Sequence, residues 1–241
     1  MRTEPGLAQR ISLERLKAAG LEPRTVFDVG VATGTPELYG VFDDVVYVLV
    51  EPLQESEPFM RRFVQAHAGS VAVHAAAGRS AGEASFQVAR NLSGSSFTLK
   101  PGSTEERRVP MVTLDQVMDM HAPPAPYLLK LDVQGYELEA LAGAERLLAK
   151  TCAVVAEASL WSDRKGRGMA EFSALVAWLR ERGFVLYDIA QIVRRDSDDA
   201  ITEVDLVFLP SDSPLRAVSA YKQAAAAIGA IEKRRRNFGL D

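Results

Sequence analysis

Cysteine, histidine and phosphate-cradling glycine patterns are scarce in this sequence, and each scarcity closes off a class of function. There is a single cysteine, Cys152, so no internal disulfide can form, and a reducing cytoplasm is the simple expectation. The three histidines, His67, His74 and His121, have no metal-ligand spacing between them. The opening MRTEPGLAQR lacks the apolar core of an export signal, and no apolar run approaches membrane-spanning length. Neither sign of charge dominates: the net charge of -4 gives no electrostatic reason to expect nucleic acid as a partner. No Gly-Lys-Ser/Thr is present, and the glycines of the first loop are spaced G-x-x-x-G rather than G-x-G-x-x-G.

What is present is enough for one well-buried α/β domain. The chain has 241 residues, 47% of them hydrophobic and 25% charged, and no internal linker argues for a second domain. The stretch 26–52, VFDVGVATGTPELYGVFDDVVYVLVEP, organises the rest. Val26-Phe27-Asp28-Val29 reads as a buried parallel strand entering a turn with Gly30 and Gly34, where a missing Cβ lets backbone approach a ligand. A second strand, 45–50, delivers Glu51 about 20 residues beyond the first glycine, the place from which an acid accepts ribose hydroxyls. Without a phosphate cradle, a nucleoside lacking phosphates fits this pair of strands better than a dinucleotide, and S-adenosylmethionine meets that description. An ordinary strand-turn connection with a chance acid is the bland account.

In chain order, 6–19 predicts a helix that either covers the cofactor pocket or packs on the sheet edge. Residues 54–68 predict a second helix with Phe59, Phe63 and Val64 on one face. A third strand, 71–77, ends at Gly78; Ala75 and Ala76 leave room for a flat ring, and His74 stands near the site, with His67 and His121 on the surface. Short strands at 84–89 and 109–113 flank a polar loop, 90–108, whose Ser95 and Ser96 could hydrogen-bond a ligand. Tyr127-Leu-Leu-Lys-Leu131 predicts a fourth strand with Asp132 at its C-terminal end, where open parallel sheets hold their ligands. Glu137 follows in the first turn of a helix, where the dipole favours a negative charge and a structural role explains it. A fifth strand, 153–156, delivers Glu157 beside Asp132. The segment 159–168, with Trp161, Arg164 and Lys165, reads as a loop that could hold a substrate.

After a helix over 170–182, two strands, 184–189 and 203–209, are joined by the polar RRDSDD, which suits a hairpin and hence an antiparallel last pair. That separates the chain from a symmetric dinucleotide-binding domain. The alanine-rich 215–233 reads as a helix ending in a basic run at 233–236; cations at a helix C-terminus are the default account, and an oligomerisation helix forming a homo-oligomer is the alternative. The expected division is thus 1–212 as the main domain, with its N-terminal helix, and 213–241 as a helical extension.

With those residues in place, the chain resembles the FkbM family of S-adenosylmethionine-dependent methyltransferases. The most specific match is LLKLDVQGYELEALAGAERLL at 128–148, preceded by VTLDQV at 112–117 and followed by VVAEASL at 154–160. VFDVGVATG and VEP match the cofactor half, and the resemblance extends over roughly 16–209, in order and at plausible spacing. It departs at Val31-Ala32-Thr33, where the family more often has alanine-asparagine; the glycine turn survives the change. The resemblance implies an α/β, Rossmann-like class I methyltransferase fold: a seven-stranded, mostly parallel sheet with an antiparallel last strand. It implies an O-methyltransferase acting on a hydroxyl of a sugar or natural product, a polyketide or glycoside. Asp28, Gly30, Thr33 and Gly34 would surround the methionine part of the cofactor, Glu51 the ribose and Ala76 the adenine, with Ser96 near cofactor or acceptor.

In-line transfer of a sulfonium methyl to oxygen asks the protein to align two centres and remove a proton. Asp132 is the leading base, and Glu157 would orient the acceptor or share a divalent ion such as Mg²⁺. Both acids could instead cap the following turns. Few aromatics in the loops, Phe97 and Trp161, favour a polar acceptor. Two rivals stand beside this reading: an NAD-type oxidoreductase, which shares Gly30, Gly34 and Glu51 but lacks the third glycine, and a non-catalytic binding module of the same fold.

Overall fold

The structure, a computed structural model, describes residues 6–89, 95, 97, 103–160 and 171–217. Its strands are β1 (Thr25–Val29), β2 (Val46–Val50), β3 (Val71–Val73), β4 (Ala76–Ala77), β5 (Gly82–Ala89), β6 (Ser103–Val112), β7 (Tyr127–Leu131), β8 (Thr151–Ser159), β9 (Phe184–Arg194) and β10 (Ile201–Pro210). The α-helices are α1 (Leu7–Ala18), α2 (Pro36–Tyr39), α3 (Glu57–Ala66), α4 (Leu114–His121), α5 (Glu137–Ala142), α6 (Glu145–Leu148) and α7 (Phe172–Glu181). None is long and apolar enough to cross a membrane. Close packing divides the chain into two units, 1–211 and 212–241, and everything that follows concerns the first.

Seven strands form one sheet in the order β3-β2-β1-β7-β8-β10-β9. The first five are parallel, while β10 runs antiparallel to both β8 and β9. This is the Rossmann-like class I sheet that the resemblance implies, with its reversed last strand inserted between two neighbours of opposite direction. The hairpin β9-β10 makes that insertion because only a short polar connection joins the two. β1 and β7 are buried at every residue, as strands covered on both faces must be, and Phe27, Leu129, Val154 and Phe208 lie in the core they share with α4–α7.

α1 packs on the sheet end by polar contacts as well as through buried Leu13 and Leu16. Gln9 Nε2 donates to Asp205 Oδ2 at 3.0 Å, Ser12 Oγ donates to Asp188 Oδ2 at 2.6 Å, and the amide of Gly6 donates to Gln191 Oε1 at 3.0 Å. Of the two places expected for this helix, the sheet edge at β9 and β10 is the one it occupies.

Three local readings change. The run 71–77 is not one strand: it kinks after Val73, leaving β3 in the main sheet while Ala76–Ala77 pairs with Met111 and Val112 of β6. β4, β6 and β5 make a separate three-stranded sheet. The last part of the expected polar loop, 103–108, is in fact strand, because β6 extends back to Ser103 as the wet partner of β5. Its Glu105 and Arg107 are polar for that reason; Arg107 also reaches Glu55 with two bonds of 3.0 Å, fastening the small sheet to the turn after β2. Finally, the helix after β7 is broken at Gly143, where a Cβ would lie 2.1 Å from the carbonyl oxygen of Gly78. That close approach sets the boundary between α5 and α6.

Candidate functional site

The site grows from the C-terminal ends of β1, β2 and β7. After β1 the chain turns at Gly30, whose φ is +84°, and at Ala32, whose φ of +46° is unusual for a residue with a side chain. A Cβ on Gly30 would lie 1.8 Å from the carbonyl oxygen of Asp132, so the turn packs directly on the end of β7. Gly34 (φ +106°) closes the turn with its amide 2.7 Å from the carbonyl of Val31 and has the ring of Phe59 against it. Both glycines are therefore required by the protein's own packing, whatever the ligand.

Glu51 leaves β2 into the same space. Its carboxylate is 4% exposed and accepts from the amides of Ala32 and Leu53, each at 2.9 Å. Burial pushes its pKa up against the opposing pull of those two amides. Each carboxylate oxygen keeps acceptor capacity beyond the one bond it makes. Glu51 thus braces the strained turn as well as facing the cleft.

Beneath the turn lies a charge network that sequence reading misses. Lys130 is 6% exposed, with Nζ 3.4 Å from Asp28 Oδ1 and 3.5 Å from Asp132 Oδ2. Burial alone would lower its pKa, but the carboxylates of Asp28, Asp132 and Asp205 outweigh burial and push it above the ordinary lysine value. Asp28 is fully buried and also accepts from Thr35 Oγ1 at 3.0 Å and Tyr39 Oη at 2.5 Å. The signal was in the sequence: a lysine inside an otherwise apolar five-residue strand must have partners to be buried there.

Asp132 and Glu157 come together as the strand order demands. The Gln134 amide joins them, its Nε2 donating to Asp132 Oδ1 and to Glu157 Oε2, both at 3.0 Å. Glu157 is not at its strand's end, because β8 continues to Ser159 along its antiparallel partner and sets Glu157 opposite Asp205. Burial, followed by the charges of Asp132 and Glu203, holds the Glu157 carboxyl well above its ordinary pKa. Asp205 is pushed up to about 6, by burial and then by Asp132. Behind them Glu137 is fully buried; its Oε1 accepts from the amides of Val133 at 3.0 Å and Gly135 at 3.2 Å, and burial raises its pKa to about 7.

A partly open cleft lies above these residues, with about 60 Å³ of enclosed space. Gly30, Ala32, Glu51, Ala76, Asp132 and Gln134 line it among others. The small sheet supplies its roof: Phe86 packs edge-on to Phe97 at 5.0 Å, and Phe97 lies 4.3 Å from the Tyr136 ring. Buried Ser95 faces the cleft, its Oγ accepting from the amide of Ala89 at 2.9 Å.

Among the residues singled out by sequence, Gly30, Glu51, Ala76 and Asp132 line the cleft. Asp28 lies beneath it, Gly34 packs on Phe59, Thr33 is exposed on the turn, and Glu157 reaches it through Gln134. Ser96, Trp161, Arg164, Lys165 and the basic run at 233–236 fall outside the described residues. His74 is exposed at the kink after β3, and His67, expected on the surface, is half-buried and stacks on Phe63 at 3.9 Å. Among the described residues no three His, Cys, Asp or Glu side chains converge to hold a metal ion, so the expectation of Mg²⁺ gains no support.

No curated protein matches the chain. Solved structures do. A 1,6-didemethyltoxoflavin-N1-methyltransferase from Burkholderia thailandensis, with S-adenosylhomocysteine bound, is 12% identical at a TM-score of 0.47, covering 86% of this chain and 80% of that one. A precorrin-6y C5,15-methyltransferase from Geobacter metallireducens is 13% identical at a TM-score of 0.43, covering 83% and 86%. The magnesium protoporphyrin IX methyltransferase of Synechocystis, with S-adenosylmethionine bound, is 9% identical at a TM-score of 0.43, covering 88% and 86%. The family model described as the methyltransferase FkbM domain matches residues 28–186, from the buried Asp28 of β1 through both acids and into β9, and the chain belongs to that family.

Proposed function

We propose that this methyltransferase moves the methyl group of S-adenosylmethionine onto a hydroxyl of a sugar or natural product, such as a glycoside or polyketide. The observation that carries this reading is the meeting of one cleft with a pair of linked acids at its rim: Glu51 and Ala76 line the same cleft as Asp132. A flat ring fits beside Ala75, Ala76 and Ala77, whose short side chains leave space under Phe86. Glu51 has lone pairs left for ribose hydroxyls, and Gly30 lets the backbone come close to the methionine part. The turn offers no phosphate cradle, which disfavours the dinucleotide alternative.

The cofactor supplies an electrophilic methyl on a sulfonium. With that cofactor bound, transfer would form an O–CH₃ bond on the acceptor and break the S–CH₃ bond, leaving a neutral thioether. The chain's task is to align the oxygen and take its proton. Asp132, which faces the cleft, is the base in this reading. Glu157, whose carboxyl burial keeps well above its ordinary pKa, orients the acceptor. Division into a catalytic domain over 1–212 and an extension over 213–241 belongs to the same proposal, as does assembly through the extension.

The test is transfer of labelled methyl from the cofactor to a panel of glycosides, polyketides, amines and carbon acids, with and without Mg²⁺. Labelled methyl ethers among the products support the reading. Transfer confined to nitrogen or carbon acceptors overturns the oxygen assignment.

A further inference from the structure

Gln134 has no part in the chemistry just described, yet its side chain is bonded to both acids at the rim of the cleft. It stands at φ +56° between Val133 and Gly135, in the turn that leaves β7. A primary amide carries two N–H donors, and the two bonds of 3.0 Å direct Nε2 at one acid each. The turn is braced from behind, since buried Glu137 accepts from the amides on either side of Gln134. An exposed amide with a free choice of partners would need neither a left-handed backbone nor such a brace.

Two carboxylates reached by one nitrogen can coexist in three ways: one proton shared between them, a cation between them, or a donor between them. Gln134 provides the third. Its geometry also fixes where protons can be. The hydrogen bond from the amide to Glu157 Oε2 favours a proton on that acid at its other oxygen, Oε1.

We propose that Gln134 is a positioning residue whose amide fills the seat between Asp132 and Glu157 that a shared proton or a divalent cation would otherwise take. It keeps the two acids in different roles, Asp132 open to the cleft and Glu157 held behind it. Those roles rest on the methyl-transfer reading; the bridge itself does not, and its test needs no acceptor.

The experiment follows carboxyl and side-chain amide resonances across pH in the full chain without ligand, with isotope-labelled Glu, Asp and Gln. In the wild-type protein both Gln134 amide protons are expected to shift with the titration of Glu157. Gln134→Met removes donors that favour the ionised carboxylates, so the Glu157 midpoint is expected to rise by about one unit or more. Gln134→Glu keeps the length but adds a third carboxylate, raising the midpoint further and creating a Mn²⁺ site by calorimetry that the wild type lacks. Wild-type amide protons indifferent to pH, or an unchanged Glu157 midpoint in either variant, would overturn the bridge while leaving methyl transfer standing. Mn²⁺ binding by the wild type between the two acids would overturn it as well. Should Gln134→Met not fold, the wild-type resonances and Gln134→Glu decide.

Discussion

Gly30 has no room for even a methyl group. A Cβ there would meet the Asp132 carbonyl oxygen at 1.8 Å, and its φ of +84° disfavours any side chain. Gly30→Ala is therefore expected to cost roughly 2–4 kcal/mol of stability in denaturant unfolding, and a loss well under 1 kcal/mol would disprove the packing account. Asp132→Asn keeps the shape of the acid and removes its basicity. It is expected to lower kcat by about 10² to 10⁴ while S-adenosylhomocysteine affinity stays in the wild-type range; unchanged turnover would remove Asp132 as the base. Glu137 gives a stability signature. Its folded pKa of about 7 lies above the ordinary 4.5, so below pH 4.5 it is protonated folded or unfolded, and between 4.5 and 7 the folded state alone holds the proton. Stability should fall by about 3 kcal/mol on that account as pH rises through this window. Chemical denaturation of Glu137→Gln should show a flatter profile there, and a slope as steep as the wild type's would refute the assignment.

Elements in this chain end where a specific contact stops them. α4 starts on a local signal, which VTLDQV contains. Thr113 Oγ1 accepts from the Gln116 amide at 3.1 Å and Gln116 Oε1 accepts from the Thr113 amide at 3.1 Å, a reciprocal cap. Thr113→Ala is expected to lower stability by about 1 kcal/mol, measured by thermal or denaturant unfolding, with Thr113→Ser close to wild type. Gly143 inside the helical run 138–148 is itself a local sign of an interruption, whereas the kink after Val73 carries none. Gly143 is explained by the Gly78 carbonyl, far away in sequence, and β4 exists only because β6 offers a partner. A polar strand such as β6 looks like a loop until its wet face is known.

At the scale of the whole molecule, a ligand that binds only the folded state raises its stability by mass action. If the cleft is built for a phosphate-free nucleoside, S-adenosylhomocysteine at about 100 times its Kd should add about 2.7 kcal/mol, read as a rise in Tm, while NAD adds nothing. Stabilisation by NAD instead would reverse the choice between the two cofactors. The acids at the rim belong to this scale too, since β7, β8 and β10 must all be in register before Asp132 can raise the pKa of Glu157 and of Asp205.

By itself the sequence determined the sheet and much of the cleft. A short apolar run such as 127–131 reads as a buried strand, a short polar link forces the last pair antiparallel, and Gly30, Glu51 and Asp132 lie at strand ends where a parallel sheet opens. Tertiary structure alone decided what those side chains do there. Asp28 points under the turn to Lys130, Glu51 holds the backbone of Ala32 and Leu53, and Gln134 links two acids from different strands. The physical reason is range: burial and backbone direction repeat locally along the chain, whereas a hydrogen bond or an ion pair between distant strands is fixed only when the sheet brings their ends together.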